Sequence, residues 1–117
     1  MGITRRSTTN CPIERAVHVV GGRWKSMILY GLLDGPARYS VLRQRMAGCA
    51  ERVLVRQLRE LEADGVIERR LLDASGNHVE YRLTALGEAL HDMFDGMRRW
   101  GETLLARDAQ RAKRISA

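Results

Sequence analysis

The sequence predicts a mainly α domain with one small β-hairpin, and three observations lead there. The first is the run from Glu51 to Ala63, which has two chemically opposite faces. On a helix advancing about 100° per residue, Val53, Leu54, Leu58 and Leu61 gather on one side, and Arg52, Arg56 and Arg59 on the other. One face calls for a core and the other for anions. The second is Asp64-Gly65 directly after it: glycine enters the left-handed C-cap without strain and ends a helix there. The third is the alternation of Val79, Tyr81 and Leu83 against Glu80 and Arg82, the period of a strand buried on one face. A partner strand, Val66 to Leu72, is joined to it by the polar turn Asp73-Ala74-Ser75-Gly76-Asn77-His78. A basic helix followed by a short hairpin is the arrangement of a winged helix-turn-helix.

The elements follow in chain order. Residues 1–10 read as a flexible basic arm with little to bury. The folded domain is expected over residues 11–106. Pro12 suits the first turn of a helix that presents Ile13, Ala16, Val17 and Val20, and Gly21-Gly22 stops it. A second helix, from about Arg23 to Leu33, places Trp24, Met27, Ile28 and Leu32 on its buried side, until Asp34-Gly35-Pro36 breaks it. A third, short helix from about Ser40 to Met46 is linked through Ala47-Gly48-Cys49 to the arginine-faced helix, starting near Ala50. That connection is short and contains glycine, as a helix-turn-helix pair requires. After the hairpin, Thr84 is the N-cap candidate for a long final helix.

In that last helix Leu86, Leu90, Met93, Met97, Trp100 and Leu104 follow at spacings of four, three, four, three and four, a heptad seam. So small a domain has little core left for so long a stripe, so the first and last helices are expected to form a homodimer. Its candidate interface is Ile13, Val17, Leu90, Met93, Met97, Trp100 and Leu104. The other reading is a helix folded back over its own domain. Residues 107–117 are expected to be a basic tail that frays.

The chain has 117 residues, enough for one domain and few for two. It is 44% hydrophobic and 29% charged, the balance of an ordinary globular protein. No apolar stretch near the start is long enough for a signal peptide or a membrane span, and Arg6 stands where a myristoylation signal needs serine or threonine. A cytoplasmic protein with no membrane contact is expected. The formal net charge of +6, carried mostly by arginine, suits a polyanionic partner, although excess charge also serves solubility alone. No glycine-rich phosphate loop, metal-ligand cluster or nucleophile with its base appears, and His18, His78 and His91 stand apart. Neither enzyme chemistry, nor a metal, nor a cofactor is expected. Cys11 and Cys49 lack metal-ligand spacing and are expected as thiols.

With these residues in order, the sequence resembles the HxlR-type regulators, relatives of the MarR group. The resemblance rests on Cys11-Pro12, on Gly22-Arg23-Trp24-Lys25 with Ile28-Leu29, and on Gly35-Pro36 with Arg38-Tyr39 and Leu42. It continues through Leu54, Gln57-Leu58, Leu61-Glu62, Asp64-Gly65, Glu68-Arg69, Val79-Glu80-Tyr81, Leu83-Thr84 and Gly87, covering Cys11 to about Gly101. It implies a winged helix-turn-helix transcriptional regulator that binds double-stranded DNA as a homodimer on an inverted-repeat operator. Two departures stand out. Cys49-Ala50 replaces the serine or threonine that usually caps the recognition helix, and the wing turn lacks the prolines often found there.

On this reading Lys25, Arg38, Arg43 and His78 are candidates for phosphate contacts, which supply affinity but no sequence information. Arg52, Arg56, Arg59 and Gln57 are candidates for reading bases, since a guanidinium pairs bidentately with the O6 and N7 of guanine. Gln57 lies closest in angle to the core side. The bland alternative is a solvated face with pairs such as Arg56 to Glu60, and the rival class is a winged-helix interaction module that binds no DNA. Arg69, Arg70 and Arg82 are left without a role. The resemblance also points to Cys11 as a sensor of oxidants or small electrophiles. A thiol beside a helix N-terminus favours its thiolate, with Arg5, Arg6 and Arg15 nearby in sequence; the competing reading is a helix-capping or buried small residue. An oxidised bridge from Cys11 of one subunit to Cys49 of the other is the further expectation.

Overall fold

The computed structural model describes residues 10–116. The basic arm therefore lies, except for Asn10, outside the described residues. In chain order the elements are α1 (Pro12–Val20), α2 (Arg23–Leu32), β1 (Ala37–Arg38), α3 (Tyr39–Arg45), α4 (Glu51–Ala63), β2 (Ile67–Leu71), β3 (Val79–Leu83), α5 (Ala85–Glu88) and α6 (His91–Ser116). The three strands form an antiparallel sheet in the order β1-β3-β2. A winged helix-turn-helix results: α3 and α4 are the pair, and β2 and β3 are the wing.

One core joins the parts. Ile28, Leu29 and Leu32 of α2, Leu42 of α3, Leu54, Leu58 and Leu61 of α4, and Ile67 at the start of the wing are its largest fully buried side chains. Each contributes about 1.5–3 kcal/mol by leaving water. The buried side of α2 differs from the expectation: Lys25 and Leu29 join Ile28 and Leu32 there, whereas Met27 is exposed and Trp24 only half-buried. The stripe that faces α4 is 25-28-29-32, a regular i, i+3, i+4, i+7 set. Trp24 instead takes Arg23 over its ring, 4.6 Å from the centroid.

Two glycines set the joint between α4 and the wing. Gly65 has φ of 76°, and Val66 N–H donates back to Leu61 O, so the chain leaves α4 straight into the hairpin. Gly87 lies against that same turn: a Cβ there would stand 2.3 Å from Val66 O. Thr84 ties the joint together, donating its hydroxyl to Gly65 O (2.6 Å) and accepting from Gly87 N–H (3.2 Å). Thr84 is thus the cap that was expected, but of the one-turn α5. The chain then turns at Ala89 and Leu90 before α6 begins.

Past that turn α6 runs without interruption to Ser116, so the stretch from Arg107 to Arg114, expected to fray, is helix. Phe94 is the residue α6 buries in the core, its ring 6.4 Å from that of Tyr30. The helix does not fold back over its own domain along its length: Met97, Trp100 and Leu105 remain exposed. β1 had no counterpart in the sequence reading. It is two residues long and exists through pairing of Ala37 with Tyr81 and Arg38 with Glu80.

Candidate nucleic-acid interface

Helix α4 begins without a side-chain cap: Ala50 is the N-cap, with extended backbone, and only its carbonyl accepts, from Val53 and Leu54. Glu51 partly makes up for this, because a carboxylate in the first turn complements the helix dipole. Its two oxygens also knit the helix-turn-helix together, one accepting from Tyr39 Oη (3.2 Å) and the other 2.8 Å from Arg43 Nη1. Burial, and then the Glu51 charge, raise the Tyr39 pKa, so that hydroxyl stays a donor.

From this anchored start, α4 turns Leu54, Leu58 and Leu61 inward and Arg52, Arg56 and Arg59 into solvent. None of these three arginines forms a salt bridge among the described residues. Gln57, like Val53 and Val55, is half-buried on the flank. Three guanidinium groups therefore stand on the outer face of a helix whose inner face is fixed.

The candidate phosphate contacts divide. Arg38, at the β1 edge and the N-cap of α3, is exposed. Arg43 is exposed too, but shares its charge with Glu51. His78 lies in the wing turn, where its Nδ1 contacts the Asp73 carboxylate. Ser75 donates to the same carboxylate through its amide (3.1 Å) and its hydroxyl (2.6 Å), and these contacts, with His78, hold the Asp73 pKa down at about 2.

Lys25 is a correction. The residue is buried, 7% exposed, with Nζ 2.7 Å from Glu60 Oε1 of α4. It cannot reach a phosphate, because burying its ammonium is tolerable only with a countercharge in place. The sequence carried a signal for this: Lys25 precedes Ile28, Leu29 and Leu32 by three, four and seven residues and so lies on their face. Glu60, read only as a partner for Arg56, was missed for the same reason. Other arginines are structural. Arg45 donates to Gly31 O at 3.1 Å, joining α3 to α2, and Arg82 pairs with Glu68 across the wing strands.

The two cysteines are differently placed. Cys11 is exposed at the N-cap of α1, where its side chain makes no cap hydrogen bond. Cys49 is half-buried in the turn between α3 and α4, its Sγ 3.5 Å from Ala50 O. Arg15, on α1, is within the described residues; Arg5 and Arg6 are not.

Of the residues expected at a dimer interface, Ile13, Val17, Met93 and Met97 line one groove between α1 and α6, and Leu90 lines the groove beside it. Ile13 is 75% exposed and Trp100 67%, with Val17 and Met97 exposed beside them and Leu90, Met93 and Leu104 half-buried. Grooves of about 450 and 430 Å³ flank α1, the second running from Ile13 and Val17 to Met93 and Met97. Among the described residues no group of acidic, histidine or cysteine side chains could hold a metal ion. No helix there is long and apolar enough to cross a membrane.

Fold and surface together define a winged helix-turn-helix protein with a cationic face on its second motif helix, α4. The HxlR-like helix-turn-helix family matches residues 19–109, and the chain belongs to that family. It is a DNA-binding transcriptional regulator of the helix-turn-helix type, not an enzyme. The helix-turn-helix regulator YdeP of Bacillus subtilis is 41% identical over 92 residues, covering 79% of this chain and 72% of YdeP. The redox regulator HypR in its reduced form superimposes with a TM-score of 0.78 at 36% identity, over 87% of this chain and 99% of HypR. Quinone-bound YodB of B. subtilis gives 0.69 at 33%, over 80% and 98%.

Proposed function

We propose that the protein binds an inverted-repeat operator as a homodimer, reading bases with Arg52, Arg56 and Arg59 and gripping phosphates with Arg38, Arg43 and the wing around His78. The carrying observation is the outward, unbridged arginine face of α4 opposite its buried leucines. A protein-interaction module would present apolar side chains on that face; only half-buried Val55 lies beside the arginines. In a two-fold dimer the two α4 helices enter successive major grooves about 34 Å apart. The test is a duplex selected on the wild-type protein from a random library. It should contain two inverted half-sites, and Arg56→Ala should weaken its binding by about 1–3 kcal/mol. A single half-site, or unchanged affinity for both selected and random duplex, would overturn the reading.

The apolar surface shared by α1 and α6 supports the dimer, since large exposed patches of this kind mark interfaces. Sedimentation of the protein as a monomer at micromolar concentration would count against it.

A second part of the reading concerns Cys11, the exposed thiol at the start of α1, as sensor of an oxidant or small electrophile. The likeness to the redox regulator HypR and to quinone-bound YodB supports it. On oxidation, Cys11 of one subunit and Cys49 of the other would lose two protons and two electrons to the oxidant and form a disulfide that twists the reading heads. Diamide or quinone treatment followed by non-reducing electrophoresis should give a dimer band that Cys11→Ser abolishes. No band and unchanged DNA binding would remove the sensor.

A further inference from the structure

Glu60 stands one helical turn beyond Arg56, a spacing at which opposite charges pair along a helix. It does not serve that pair. Its carboxylate is held by Lys25 of α2 at 2.7 Å, in a contact whose side chains are 8% and 20% exposed, while Arg56 is exposed and carries no salt bridge among the described residues. A shielded pair of this kind is screened less by salt than one at the surface, so Lys25 wins the carboxylate. The lysine has little freedom to let go, because it lies on the stripe that α2 buries with Ile28, Leu29 and Leu32.

Two apolar side chains would join α2 to α4 as well as this pair does, or better. What the pair adds is the placement of charge. A Glu60 carboxylate turned onto Arg56 would occupy the guanidinium fork and bring a negative charge toward DNA phosphates. We propose that Lys25 is a positioning residue of the reading face: by holding Glu60 against α2, it leaves Arg56 outward and available for DNA. The inference rests on the reading that Arg56 touches DNA, and the experiment separates the two.

Kd for the selected duplex is measured in a cycle of Lys25→Met, Lys25→Met with Glu60→Gln, and Arg56→Ala added to each background, with folding checked by circular dichroism. Lys25→Met should weaken binding about three- to tenfold. Adding Arg56→Ala should then cost less than about twofold, because Glu60 has already engaged that arginine. The Lys25→Met, Glu60→Gln protein should regain wild-type Kd and the full Arg56→Ala loss. A Lys25→Met defect that persists undiminished in the Arg56→Ala background, or no defect where Arg56→Ala is costly, overturns the positioning role. No cost of Arg56→Ala in the wild type overturns the reading of α4 itself, and this inference with it. Should Lys25→Met not fold, nitrogen-detected NMR of the wild type decides. A Lys25 ammonium protected from exchange beside a rapidly exchanging Arg56 guanidinium is expected; the reverse overturns the proposal.

Discussion

Helices α4 and α6 both carry an apolar stripe beside arginines, and they treat it in opposite ways. In α4 the stripe is fully used, with Leu54, Leu58 and Leu61 buried in the domain and Arg52, Arg56 and Arg59 outside. In α6 Phe94 is buried, Met97, Trp100 and Leu105 stand in water, and the polar side satisfies itself through Arg98 with Asp95 and Glu102, and Arg99 with Asp95. The working face of a helix is the one its own chain leaves unsatisfied. For α4 that is the cationic face, and for α6 it is the apolar one. Single exposed apolar residues are ordinary; a stripe whose Met93 and Met97 share a groove with exposed Ile13 and Val17 of α1 is a patch of the kind that marks interfaces.

Apolar truncation on each helix breaks or sharpens this contrast. Leu61→Ala opens a cavity among side chains that have no other way to fill it, and should cost about 2–5 kcal/mol of folding stability in thermal or urea unfolding. Trp100→Ala should leave the far-ultraviolet spectrum intact and weaken self-association by about 2 kcal/mol, near thirtyfold in dimer Kd by sedimentation. If Trp100→Ala instead unfolds the domain, the α6 stripe belongs to the core and the contrast disappears.

Much of this was legible in the sequence because it is local. The two faces of α4, the glycine that ends it, the alternation in β3 and the heptad seam are read from neighbours along the chain. What was missed depends on partners far away in sequence. β1 is two residues long and needs β3, about forty residues on, to be a strand at all. Lys25 shares the local stripe of Ile28, Leu29 and Leu32, yet lysine is usually a surface cation, and what lets it be buried is a countercharge thirty-five residues on, Glu60 of α4. Met27 and Trp24 were assigned inward by a helical stripe turned about one position from the one α2 buries. The continuous final helix was expected because nothing in its periodicity shows Gly87 lying against the Val66 carbonyl.

A smaller effect concerns the start of α4, which its apolar stripe anchors but no side chain caps. Ala50 already has the extended backbone of an N-cap, φ −61° and ψ 142°. Ala50→Ser supplies the side-chain oxygen that the first turn lacks as a cap, and should raise stability by about 1 kcal/mol, seen as a higher Tm. The α6 contrast supplies the control, since this gain should leave dimer Kd unchanged. An unaltered Tm would mean that Glu51, bridging Tyr39 and Arg43, already does the work of the missing cap.

The smallest effect lies at the wing tip, which shares with α6 its exposure and with α4 its proposed role in binding DNA. Asp73 is held down to about 2, from an ordinary 3.8, first by Ser75 and then by His78. A depressed carboxyl stabilises the folded turn above its unfolded pKa, so the contribution is complete above about pH 4 and is lost as pH falls through about 2. The amide signals of Ser75 and Asn77 should titrate near that lower value, since Ser75 donates to Asp73 and Asn77 N–H donates to Ser75 Oγ at 3.2 Å. Because the group lies at the surface of the wing turn, the core should not register the change. Near neutral pH Asp73 is therefore ionised beside His78, so on the proposed reading the wing would meet phosphates with a negative charge in its turn. Asp73→Asn should strengthen binding to random duplex slightly and remove the acid titration of the turn; a midpoint near 3.8 in the wild type would mean that the carboxylate is not held as drawn.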